Sequence, residues 1–144
     1  IHDTVVAPGE LLLQMDALHF VGDNGQISAI SLKIDVDTNL IEFINIQNTT
    51  LVGSWLANYN YNQDEITIIY TAYSGNGFDI DGKLLDLHIF YSGGFDDSLH
   101  FKDGCEVSNV YLQTIQNIEY YDGMVTQVAE EGVISQDSVA VNYG

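Results

Sequence analysis

The sequence predicts an all-β domain, an antiparallel two-sheet β-sandwich with jelly-roll topology and about nine strands. Three observations lead there. Apolar and polar residues alternate with a period of two through several strand-length runs. Clusters of Gly, Asn and Asp separate these runs every dozen residues or so, as in sandwiches and barrels. Long stretches of helical period are absent.

The elements follow in chain order. Between Pro8 and Phe20 two patterns compete: Leu11, Met15 and Leu18 would share a helix face after a proline start, but a strand is preferred. Ile30, Leu32, Ile34 and Val36 alternate with Ala29, Ser31, Lys33 and Asp35, a strand with one face in the core. Ile66, Ile68 and Tyr70 alternate with Thr67, Ile69 and Thr71, apolar on parts of both faces. Leu85, Leu87, Ile89 and Tyr91 alternate with Asp86, His88 and Phe90, and Leu99 and Phe101 flank His100. Val107–Leu112 and Ile115–Tyr120 supply further short strands. Turns are expected at 22–25, 75–77, Asp81-Gly82, Gly93-Gly94, Asp103-Gly104 and Asp122-Gly123, where residues tolerate positive φ. Two apolar sheet faces must cover each other, which favours a sandwich over one open sheet. The domain is read as residues 1–128. Residues 129–144 are read as a tail or an added edge strand through Val139–Tyr143.

Composition narrows the function classes. The chain has 144 residues and 46% apolar content, enough for one core. It carries 21 Asp and Glu against 3 Lys, with no Arg, for a formal charge of -18. That charge repels phosphate backbones and anionic lipid, so nucleic acid and membrane insertion are not expected. The single cysteine, Cys105, excludes an internal disulfide framework and a zinc site of several thiolates. No run approaches the ~20 apolar residues of a membrane helix. The chain reads as a domain of something larger, with any leader already removed.

Three segments together resemble the cohesin family of bacterial surface and secreted proteins. Ile27–Phe43 is similar to the family's alternating strand, turn and Leu-Glu-apolar sequence. Glu65–Gly77 is similar to its apolar strand followed by a Ser/Gly turn. Gly82–Gly94, with Leu99–Phe101 and Cys105–Val107, resembles the later strands. The resemblance spans residues 5–126. It implies a nine-stranded jelly roll and a non-catalytic module that binds a protein partner, a dockerin, outside the cell or on its surface. The wider superfamily includes carbohydrate-binding modules. Two features depart from the pattern: Val36-Asp37-Thr38 lacks the family's aromatic and proline, and Ala29 and Ser31 stand where hydrogen-bonding Asn and Asp are usual. Ile69 keeps an apolar contact position. The partner face implied carries Ala29, Ser31, Ile69, Tyr73 and Phe90, with Tyr59 and Tyr61 nearby.

Candidate chemistry is weaker. Asp35/Asp37 and Asp79/Asp81 have the look of paired carboxylates, but 21 acids make such pairs commonplace. Asp35-x-Asp37-x-Asn39 begins like a calcium loop, yet Leu40 and Ile46 occupy its Gly and Glu positions. No cofactor is expected; a looser calcium site at Asp79–Asp81 or Asp96-Asp97 is the lesser expectation. His88 and His100 would share a metal if they lay outward on neighbouring strands, although solvated polar neighbours explain them better. Cys105 has no basic neighbour and reads as a half-buried, inert thiol. Asn48-Thr49-Thr50 matches a glycosylation sequon.

The outward faces are more telling. If Ile66, Ile68 and Tyr70 point in, Ile69 and Tyr73 point out; if Leu85, Leu87 and Ile89 point in, Leu84 and Phe90 point out. Contiguous exposed apolar residues mark an interface. An alternative is a carbohydrate-binding module using Trp55, Tyr59 and Tyr61, whose rings would stack on sugars while Asn58, Asn60 and Asn62 bind hydroxyls. A second alternative is an architectural domain of a surface fibre.

Overall fold

The computed structural model describes residues 1–2, 4–22, 26–73, 76–93 and 97–127. These residues hold ten strands and no α-helix: β1 (Thr4–Val6), β2 (Gly9–Phe20), β3 (Ala29–Asp35), β4 (Ile41–Gln47), β5 (Ser54–Asn60), β6 (Glu65–Thr71), β7 (Ile80–Tyr91), β8 (Asp97–Phe101), β9 (Glu106–Ser108) and β10 (Gly123–Gln127). Eight of them have five residues or more. Among the described residues no helix is long and apolar enough to cross a membrane. The expected tail, 129–144, and its edge strand lie outside the described residues.

The strands form two sheets. The larger runs β1-β10-β8-β3-β6-β5, with β9 beside β3 as well; the smaller runs β2-β7-β4. All pairings are antiparallel except β1 with β10, which is parallel and closes the edge of the larger sheet. β8 and β9 share the second edge of β3 end to end: β8 pairs at Ile34–Asp35 and β9 at Ala29–Ser31. Cys105 fills the join, its Sγ accepting from Lys33 N–H at 3.3 Å.

The core lies between the sheets, built by the alternation in the sequence. Leu11, Leu13 and Met15 from β2, Leu85, Leu87 and Ile89 from β7, and Ile41 and Phe43 from β4 meet Ile30, Leu32 and Ile34 from β3 and Ile66, Ile68 and Tyr70 from β6. Burial of these side chains, about 1.5–3 kcal/mol each, is the main term holding the layers together. Pro8–Phe20 is a strand, twelve residues long from Gly9, with buried positions alternating from Leu11 to Ala17.

Three expectations are corrected. Leu84 does not point outward; it is buried. Pairing slips between Met15 and Asp16, so Met15 faces Leu85 while Asp16 faces Lys83, and this bulge turns Leu84 inward. Asp81-Gly82 is not a turn but lies within β7, where Gly82 pairs with Ala17 beside a second irregularity. Finally, Ile115–Tyr120 forms no strand: only a bridge at Ser108–Thr114 precedes it, although Ile115, Ile118 and Tyr120 still pack on the core.

Candidate functional site

Strand register defines the outer face of the larger sheet. Its rows run across β5, β6, β3 and the strand beyond. The first row is Ser54–Thr71–Ala29–Ser108, the second Leu56–Ile69–Ser31–Glu106, the third Asn58–Thr67–Lys33, and the fourth Asn60–Glu65–Asp35–His100. Each outward residue alternates with a core residue, so the face follows from the same period that builds the interior. Ala29, Ser31 and Ile69 share it as expected, and exposed Tyr73 follows the end of β6.

Towards the β5 edge this face carries an apolar pair. Leu56 is 66% exposed and stands directly opposite Ile69, 41% exposed. Val52 and Tyr73, also exposed, flank the same end. Leu56 is absent from the sequence-derived set. Asn58 and Asn60 share its parity, which hints at solvent, but Trp55 and Tyr59 make the other side apolar too, and the register with β6 settles which side is outward.

Phe90 is exposed but does not join these residues. It lies on β7, on the outer face of the smaller sheet, between Glu10 and Glu42. The two faces are on opposite sides of the sandwich. A single surface carrying both Ile69 and Phe90 is therefore corrected to two surfaces.

Trp55 and Tyr59 occupy the core-facing side of β5, opposite Tyr70 and Ile66. Trp55 packs on Tyr70 with ring centroids 4.6 Å apart and donates its indole N–H to Leu51 O at 3.1 Å. Tyr59 donates its hydroxyl to Ile41 O at 2.6 Å and packs edge-on against Phe43. These rings close the edge between β5 and the smaller sheet. Burial first, then the neighbouring Tyr61, Glu42, Asp64 and Asp37, push the Tyr59 hydroxyl up to about 12. Tyr61 is exposed and leans on Tyr59 at 4.4 Å. The three aromatics thus form a wedge with one outer ring, not a flat platform.

The remaining polar candidates are engaged. His88 and His100 lie on different sheets, on β7 and β8, so they are not neighbours. His88 Nδ1 lies 3.1 Å from Gln47 Nε2, and His100 Nδ1 lies 2.9 Å from Asp122 Oδ2. The hydrogen bond from His100, against some burial and with help from Phe101 N–H, holds the Asp122 carboxyl below its ordinary range. Asp79 and Asp81 accept backbone N–H groups of Gly22 (3.1 Å) and His19 (2.9 Å). Asp37 accepts from Asn39 N–H at 2.9 Å, a local turn. No group of three His, Cys, Asp or Glu is placed to hold a metal among the described residues. Asp96 and the Asp97 side chain lie outside the described residues. Burial raises the Cys105 thiol above its usual range. Asn48 of the sequon donates its side-chain amide to Asp86 Oδ2 at 2.8 Å.

A groove of about 680 Å³ opens between β2 and the 115–121 segment. Its floor is apolar (Met15, Ile27, Ile30, Leu32, Leu84, Val107), with His2, Asp16 and Glu119 among the polar lining.

No family model matches the chain, and no curated protein matches it. Solved structures do. The third ScaC cohesin of Acetivibrio cellulolyticus, in complex with the ScaB dockerin, superposes with a TM-score of 0.76 at 16% identity, over 90% of this chain and 96% of that one. The OlpA cohesin from Clostridium thermocellum, also in a dockerin complex, gives 0.74 at 15% identity, over 89% and 96%. A non-cellulosomal cohesin from the archaeon Archaeoglobus fulgidus gives 0.64 at 17% identity, over 90% and 89%. The chain has a cohesin-like fold. At these identities the likeness is one of fold.

Proposed function

We propose that this chain is a non-catalytic, cohesin-like binding module that engages a dockerin-type protein partner through the outer face of β5-β6-β3. The observation that carries the reading is the Leu56–Ile69 pair, two aliphatic side chains left exposed side by side on the edge strand β5 and its neighbour β6, on the outer face of the larger sheet. Desolvating them would supply affinity at about 25 cal/mol per Å², less the cost of association. Ala29 and Ser31 beside them offer a smooth surface with one hydroxyl, and Tyr73 extends it. Two cohesins of similar fold are solved in dockerin complexes, which supports a protein partner for this one. A secreted or cell-surface setting in a bacterium is part of the same proposal.

The test is calorimetric titration of the chain with a panel of dockerin modules. Ile69→Asp abolishes binding while shifting the thermal midpoint by only a few degrees. Binding that survives Ile69→Asp unchanged rejects the face.

A further inference from the structure

The two sheets end on four strands, β1, β5, β2 and β4, and three of these edges are guarded. β1 has only three residues. β2 follows Pro8, carries Glu10 and Asp16, slips its register twice, and has Gln14 O capped by His2 N–H at 3.0 Å. β4 carries Glu42 and a slip between Phe43 and Asn45. Short length, charge, proline and bulges are the devices that keep a strand edge from pairing with another chain. β5 has none of them. Its seven residues hold no charge and no proline, and they pair with β6 from Ser54–Thr71 to Asn60–Glu65 without a slip.

Hydrogen-bond parity fixes which backbone groups of β5 are left over. Val36 N–H donates to Asp64 O at 3.0 Å and Ala72 N–H to Ser28 O at 2.8 Å, just beyond the two ends of the β3–β6 ladder. The even-numbered residues of β6 therefore bond to β3, while Glu65, Thr67, Ile69 and Thr71 bond to β5. Their partners there are Asn60, Asn58, Leu56 and Ser54. The N–H and C=O groups of Trp55, Ala57 and Tyr59 point away from the sheet, with no backbone partner among the described residues. Ala57 itself is exposed.

We propose that this edge is an interface between two copies of the chain, β5 pairing with β5 of the second copy, antiparallel about Ala57. The free groups have the required symmetry. Trp55 meets Tyr59 of the second copy, Ala57 meets Ala57, and Tyr59 meets Trp55, each pair exchanging two hydrogen bonds. Alanine at the centre puts no bulk between the strands. Charge selects the antiparallel sense. Tyr59 lies among Glu42, Asp64 and Asp37. Antiparallel pairing sets that acidic corner against the uncharged segment Leu51–Ser54 of the second copy. The two Tyr59 residues are then about 14 Å apart along the strands, beyond the ~8 Å screening length at physiological salt. Parallel pairing would set the corners side by side. The contact uses the edge and leaves the Leu56–Ile69 face of each copy open, so it does not rest on the docking reading.

Sedimentation velocity on the full chain tests the interface. The dimer fraction is expected to rise with protein concentration, and to rise with NaCl from about 50 to about 500 mM as salt screens two acidic copies from each other. Ala57→Pro removes the central free donor without touching a bond to β6, and is expected to weaken the dimer about tenfold or more while keeping a cooperative thermal transition. Hydrogen exchange supplies a readout that needs no variant. The amides of Leu56 and Asn58 are expected to be protected at every concentration, and those of Trp55, Ala57 and Tyr59 to gain protection only as the dimer forms. A chain that stays monomeric throughout overturns the proposal. Protection of Trp55, Ala57 and Tyr59 in the dilute monomer also overturns it, since a segment of the same chain would then cover the edge. A dimer that Ile69→Asp breaks and Ala57→Pro spares uses the outer face instead, and overturns it as well.

Discussion

Lys83 Nζ lies 2.6 Å from Oδ2 of Asp86, a carboxylate with no exposed surface on the outer side of the smaller sheet. The same oxygen accepts from Asn48 at 2.8 Å, while Oδ1 has no partner among the described residues. Lys83 is one of three cations in the chain, and this is the most deeply set ion pair among those described.

Removing one partner of a buried pair leaves an uncompensated charge. Lys83→Met is expected to destabilise the fold by about 3 kcal/mol or more, and the double change Lys83→Met with Asp86→Leu to recover most of that. Urea denaturation of the two variants checks it. A loss below 1 kcal/mol for the single change would show the Asp86 charge to be solvated after all.

Tyr59 closes the sandwich edge through its bond to Ile41 O, so Tyr59→Phe is expected to cost about 1 kcal/mol. Its hydroxyl titrates at about 12 in the folded state, above the ordinary ~10 of the unfolded chain. A raised value contributes stability that is complete below pH ~10 and is lost as pH rises towards 12. Absorbance titration at alkaline pH should therefore show one tyrosinate signal in wild type, missing from Tyr59→Phe, that appears late. Its appearance near pH 10 would contradict the buried geometry.

Acid behaviour carries the opposite sign. Burial alone would raise the Asp16 carboxyl, but hydrogen bonds from Gln14 and His2 outweigh it and hold the group low. Asp122 is held low by His100. A depressed carboxyl contributes stability that is present above the unfolded value of ~3.9 and lost as pH falls through the folded one. Asp16→Asn and Asp122→Asn should each be less stable than wild type at pH 7, with the gap narrowing as pH falls below the unfolded value of ~3.9. Denaturation midpoints measured from pH 7 to pH 2.5 would show a constant gap if these bonds contributed nothing through charge.

Close approach makes a further position sensitive. A Cβ on Gly53 would sit 2.5 Å from both Thr71 O and Tyr70 Cε1, so Gly53→Ala must displace the backbone of β6 or the Tyr70 ring. Overpacking of this kind costs about 1–3 kcal/mol. Thermal denaturation within a degree of wild type would show that the start of β5 moves freely.

Much of this architecture was legible in the sequence because a period of two is a local signal. Alternation alone places Ile30, Leu32, Ile34, Ile66, Ile68 and Tyr70 inside and Ile69 outside. It fails where a bulge breaks the phase, as at Leu84. It fails again on β5, where Trp55, Ala57 and Tyr59 alternate with Leu56, Asn58 and Asn60 and both sides carry apolar residues. Which side faces the core is decided there by pairing with β6, a contact that is distant in sequence. Phe90 shows a third limit, since period reports a side chain's parity and not the sheet to which its strand belongs. Ile69 and Phe90 obey the same rule on opposite sides of the molecule. The sequence reading placed Ala29, Ser31 and Ile69 on the outer face of the larger sheet but did not name Leu56, which is 66% exposed there.

The account stands on the Leu56–Ile69 surface being the one that meets a partner. The most direct measurement compares the affinity of a bound dockerin module for wild type, Leu56→Asp and Phe90→Asp, each shown to be folded by its thermal transition. Leu56→Asp should weaken binding a hundredfold or more, roughly 3 kcal/mol, while Phe90→Asp on the far side leaves it unchanged. Loss on Phe90→Asp with retention on Leu56→Asp would place the interface on the smaller sheet and contradict the account.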